Sequence, residues 1–109
     1  MSYDTELAQR VMHEFESLHP YIDKKMFGGM AFMVNGHMCV AVVKDSLVVR
    51  VGKDQYSQAL AKDGVTKFDF TGTPLTGWVY VDGAVVSEEA SLLAWLNKGL
   101  DFVLTLSPK

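Results

Sequence analysis

The stretch Lys25–Val51, KMFGGMAFMVNGHMCVAVVKDSLVVRV, decides the fold. Met26–Val34, His37–Val43 and Ser46–Val51 are short apolar runs rich in β-branched and aromatic residues, parted by Asn35-Gly36 and by the turn Lys44-Asp45-Ser46. Such side chains suit a pleated strand, and Asn-Gly accepts the positive φ of a two-residue hairpin turn. The pattern predicts a three-stranded antiparallel meander. In its middle run Met38, Val40 and Val42 alternate with Cys39, Ala41 and Val43, so both faces are apolar. A strand apolar on both faces is covered on both. The helices of a short chain cover one face comfortably. A second copy of the chain is the simplest cover for the other, which predicts a homodimer.

Outward from this core the period changes. Leu7, Val11, Phe15 and Leu18, widened by Ala8 and Met12, form a helical stripe that Asp4 or Thr5 caps and Pro20 stops near His19. After Gly52, Tyr56, Ala59 and Leu60 predict a short helix with Asp54 as cap and Gly64 as stop. Thr66–Phe70 and Trp78–Val81 read as two more strands, joined by a loop carrying two glycines and Pro74. Ser87, Glu88 and Glu89 open a last helix lined by Leu92, Leu93, Leu96, Leu100, Val103 and Leu104, flanked by Trp95, Gly99, Phe102 and Leu106. The expected fold is α+β, a two-layer sandwich of order α-β-β-β-α-β-β-α. Its sheet has five antiparallel strands, with helices mainly on one face.

A chain of 109 residues, 49% hydrophobic and 21% charged, is one ordered globular domain by size and composition. Its single cysteine, Cys39, forms no internal disulfide, which points to a reducing, cytoplasmic setting. A formal charge of −3 leaves no cation excess to neutralise phosphates, so direct nucleic-acid binding is not expected. No apolar run approaches the ~18 residues of a membrane span, and no charged-then-apolar leader opens the chain.

Candidate chemistry is sparse. His37 and Cys39, two apart on a strand, could share a ligand position, but no second pair completes a zinc site. As a dyad they lack an orienting carboxylate, and no Gly-x-Ser-x-Gly elbow surrounds any serine. Asp69 and Asp82 are the one carboxylate pair that could approach, and solvated turn aspartates explain them as well. No catalytic residue, metal site or cofactor is expected.

Gly28-Gly29 is more informative, because two glycines inside a strand mark a bulge or a close approach by another backbone or a ligand. With Lys24 and Lys25 before them, and Arg50 and Lys53 after the third run, they suggest a small anion-binding corner. Met26, Met30, Met33 and Met38 cluster in the first hairpin, and flexible methionines suit adaptable interfaces. Simple alternation places Met26 with Met30 on one face, and Phe27 with Ala31 and Met33 on the other. The expected interaction or anion surface is therefore Lys25, Met26, Phe27, Gly28, Gly29, Met30, Met33 and Arg50.

The run Lys25–Met33, then Leu47–Val51, Phe68–Leu75 and Gly77–Val81, in this order, resembles the N-terminal domain of the TfoX/Sxy family of bacterial competence regulators. The resemblance extends from about residue 6 to 108, and the first block is its most specific part. It implies a fold similar to type III secretion chaperones, with the element order already read from the residues. It also implies a non-enzymatic role, since family members that carry the name promote competence gene expression by assisting a cAMP-dependent activator. Such members have a second, helical C-terminal domain. This chain ends at Lys109 without one, so a stand-alone N-terminal module with a protein partner is expected.

Overall fold

The computed structural model describes residues 3–26, 28–69, 72 and 75–108. In chain order the elements are α1 (Thr5–Leu18), β1 (Ile22–Met26), β2 (Gly29–Val34), β3 (His37–Val43), β4 (Ser46–Arg50), α2 (Lys53–Leu60), β5 (Val65–Lys67), β6 (Trp78–Val81) and α3 (Glu89–Val103). The strands form one antiparallel sheet in the order β1-β2-β3-β4-β6-β5. The fold is α+β, and the sheet has six strands in place of the expected five.

Gly28 creates the extra strand. It adopts φ +73°, which glycine takes without steric cost, and the chain reverses there. Ile22–Met26 then pairs with β2, Ile22 opposite Met33 and Met26 opposite Gly29. Ile22-Asp23-Lys24-Lys25 shows no apolar alternation because it is an exposed edge strand, so hydrophobic periodicity passes over it. Gly29 answers a different need. A Cβ there would overlap the carbonyl oxygen of Val42 on β3, which is the close backbone approach that a strand glycine implies. The Asn35-Gly36 turn has φ +54° and +84°, the type I′ pattern its sequence demands.

The register between β2 and β3 shifts once. Phe32 faces Val40 while Met33 faces Met38, leaving Cys39 as the extra residue of a bulge. Alternation along β3 therefore breaks there. Cys39, Val40 and Val42 join the helix-facing core, whereas Met38, Ala41 and Val43 face the other way.

All three helices contribute to that helix-facing core. Asp4 caps α1, its Oδ1 accepting the Glu6 and Leu7 N–H groups at 3.0 and 3.1 Å, and α1 buries Leu7, Ala8, Val11 and Phe15. The cap of α2 is Gly52 and not Asp54, and the chain leaves α2 at Ala61, with Gly64 in the turn that follows. Glu88 holds the N-cap position of α3 without a side-chain capping hydrogen bond, and the Ser87 hydroxyl donates instead to the Ala84 carbonyl at 2.9 Å. The buried stripe of α3 is Leu92, Trp95, Leu96, Gly99, Leu100 and Val103, rotated from the expected leucine face so that Leu104 is exposed. A Cβ on Gly99 would lie 3.1 Å from the Cys39 carbonyl oxygen, so α3 rides close to the bulge. The fourth expected strand is shortened to Val65–Lys67, and its far end at Phe70 lies outside the described residues.

The helix-free face carries its own core of Ala31, Met38, Ala41, Val43, Val48 and Phe68, with Met26, Met33, Leu75, Trp78 and Tyr80 packed against it. Phe68, 4% exposed, is supplied by the segment after β5. The chain thus covers the centre of its second face itself, so the apolarity of that face does not by itself call for a second copy.

Candidate functional site

The helix-free face is built from the sheet register upward. Ala31, Ala41, Val48 and Tyr80 stand side by side across β2, β3, β4 and β6. Two alanines and a valine leave a trough, and Phe68 fills it, its ring stacked 6.1 Å from that of Tyr80. The Tyr80 hydroxyl donates to the Val43 carbonyl at 3.1 Å, satisfying its polar tip while its ring packs on the cluster. Toward β1 the face becomes accessible. Met33 pairs with Met38 on one side and Ile22 on the other, Met26 lies further along β1, and Ile22 is 71% exposed.

The bulge and the Gly28 turn redistribute the methionines. Met26, Met33 and Met38 belong to the helix-free face, while Met30 packs toward the helices, so the expected pairing of Met26 with Met30 is corrected. Phe27 lies outside the described residues. Of these three, Met38 is buried, while Met33 and Met26 stay partly accessible at the two ends of the β1–β2 ladder.

Arg50 does not join them. It stands opposite Trp78 at the end of β4, with its guanidinium 5.2 Å over the Trp78 ring and 5.5 Å over the Phe102 ring of α3. Burial lowers its pKa from the ordinary value, with a smaller opposing effect from Cys39. Lys25, Gly28 and Gly29 sit at the β1–β2 turn, where Met30 faces Val42 and Val42 faces Leu47, three residues along β4 from Arg50. The anion corner combining Lys25, Gly28 and Gly29 with Arg50 is not assembled.

The other sequence candidates separate too. The His37 Nε2 meets the Ser107 carbonyl at 2.7 Å, and Cys39 is fully buried with its thiol pKa pushed up to about 12 by desolvation. Activated cysteines shift the opposite way, so the pair is no nucleophilic dyad. Asp69 follows β5 and Asp82 follows β6, which puts them at opposite ends of an antiparallel ladder. Lys24 and Lys25 lie on one edge strand and Lys67 on the other, about 24 Å apart at ordinary strand spacing, so the basic residues form no single stripe. Among the described residues, no three His, Cys, Asp or Glu gather as metal ligands, and no helix is long and apolar enough to cross a membrane.

Periodicity misses one concavity altogether. A cleft of about 740 Å³ opens between the start of α2 and the end of α3, with Gly52, Ala59 and Phe102 among its walls. Lys53, Lys62 and Lys98 line it together with Asp54 and Asp101. It is assembled from helix ends roughly 45 residues apart in sequence, so no local motif announces it.

An open six-stranded sheet, helices gathered on one face and a methionine-bearing surface on the other define a small α+β module with no assembled catalytic constellation among its described residues. The chain belongs to the TfoX N-terminal domain family, whose model matches residues 13–103. Comparison with curated proteins and with solved structures returns no match.

Proposed function

We propose that this chain is a non-enzymatic protein-interaction module that acts in transcriptional regulation through a protein partner. The observation that carries this reading is the accessible part of the helix-free face, where half-buried Met33 stands opposite exposed Ile22 and half-buried Met26 lies at the other end of β1. Flexible, polarizable methionine side chains adapt to a partner's relief. The charge of −3 and the scattered cations favour a protein partner over a phosphate backbone. Family membership and the resemblance to competence co-regulators supply the transcriptional setting. The free thiol of Cys39 suits a reducing cytoplasm. The test is capture of the tagged chain at native level from its own cells, beside a Met33→Glu variant of unchanged circular dichroism. RNA polymerase or a cAMP-dependent activator is expected with the native chain and lost with the variant. Capture of neither sinks the proposal.

The α2–α3 cleft favours a second reading, binding of a small anion. Its lysines come from α2, from the turn after it and from α3. A melting temperature raised by pyrophosphate, and not by a neutral analogue, supports it if Lys53→Ala abolishes the shift. No shift with either compound rules it out.

A further inference from the structure

We propose that the outer edge of β1 is a self-association site, at which two copies pair antiparallel about a two-fold axis through Lys24 and join their sheets into one of twelve strands. The proposal rests on the interaction-module reading and names a second copy of this chain as one partner.

β1 hydrogen-bonds to β2 on one side only, so its other side presents unpaired backbone donors and acceptors. The opposite edge of the sheet, β5, offers three residues where β1 offers five. Symmetry then limits the register. A two-fold axis perpendicular to the sheet keeps both sets of helices on one side, so each β1 residue pairs only with a residue of its own face. A single register satisfies this with all five residues paired. Ile22 faces Met26 of the second copy, Asp23 faces Lys25, Lys24 faces Lys24, and the pairs repeat in reverse.

The side chains suit that register. On the helix side each Asp23 carboxylate meets a Lys25 ammonium, giving two opposite-charge cross-strand pairs. Asp23 sits in an acidic neighbourhood with Glu16, since the charges of both act on Tyr21, while the other end of β1 carries the lysines. On the helix-free side each Ile22 meets Met26. Among the described residues Ile22 is the most exposed large hydrophobic, and it already stands opposite Met33. Pairing extends the Met33–Ile22 row of each copy onto Met26 of the other, with the two Lys24 side chains between the rows. Lys24 makes the one like-charge contact, and its long stem lets the ammonium lean into water. That contact and the short ladder hold the affinity in the micromolar range.

The contrary expectation is that Lys24 and its neighbours blunt the edge and keep the chain monomeric. Sedimentation equilibrium across the micromolar range decides between them. The native chain is expected to dimerise, and Asp23→Lys or Lys25→Asp alone to weaken association at least about tenfold through like-charge pairs. An equimolar mixture of those two variants is expected to recover it, because their edges are complementary. Lys24→Thr is expected to tighten the native dimer several-fold. Residues 23–25 are exposed, so none of these changes disturbs the core, and circular dichroism checks that. A native chain that stays monomeric overturns the proposal, as does a dimer indifferent to both charge reversals. Either result leaves the partner-capture experiment standing, so the two readings fail separately.

Discussion

Gly28 and Gly29 are adjacent and chemically identical, yet they answer different physical demands. Gly28 needs φ +73° with open space around its Cβ direction, whereas Gly29 needs the absence of a Cβ against the Val42 carbonyl. Gly29→Ala should therefore cost about 2 kcal/mol or more through backbone displacement, and Gly28→Ala only about 1 kcal/mol through dihedral strain. Urea denaturation of the two variants checks this, and the reverse order contradicts the assignment. Cys39 makes a second prediction at this scale. Burial raises its pKa from 9.0 to about 12, so the folded chain retains a thiol proton that the unfolded chain loses above pH 9. This stabilising contribution is fully present below pH 9 and is lost as pH rises toward 12. The slope is at most about 1.4 kcal/mol per pH unit. Cys39→Ala should flatten that alkaline fall relative to the native chain, as measured by denaturation on either side of pH 9.

At the scale of elements, Phe68 and Leu75, from between β5 and β6, pack over the helix-free face. Phe68 covers the Ala31–Ala41–Val48 row, so the helix-free face is dry at its centre and accessible only toward β1. Phe68→Ala should destabilise the fold by about 3 kcal/mol and increase binding of a hydrophobic dye, because the trough beneath has only small side chains to collapse with. Dye binding unchanged from the native chain contradicts this covering role. The bulge at Cys39 belongs to the same scale. It turns Met38 away from the helices, and Gly99 then lets α3 descend onto the bulged strand. Alternation in the sequence predicts strand and partner correctly here and assigns the side wrongly.

For the whole molecule, the helix-facing core draws on residues from Leu7 to Val103, so neither terminal helix is an independent unit. Trp95 sits within that core and Trp78 on the opposite face, giving each side of the sheet its own fluorophore. With one shared sheet between the cores, far-UV circular dichroism and tryptophan fluorescence should follow a single denaturation curve, as should Trp78→Phe and Trp95→Phe variants on their own midpoints. Separate transitions for the two faces contradict a single cooperative unit.

Much of this architecture is local and therefore legible in the chain. Asn35-Gly36 dictates a primed turn, Asp4 a helix start, and the runs between Met30 and Val51 their strands, because each depends on neighbours a few residues away. The resemblance to the family rests on the same contiguous blocks and agrees with the family match. Long-range packing decided the rest. β1 is recognisable only once Gly28 folds it back on β2, since an exposed edge strand has no apolar face to display. The α2–α3 cleft, the stranding of Arg50 between Trp78 and Phe102, and the burial of the second face by Phe68 all join residues far apart in sequence. Periodicity carries which residues are apolar. Which surface they meet is set by register and bulge, and these exist only in three dimensions.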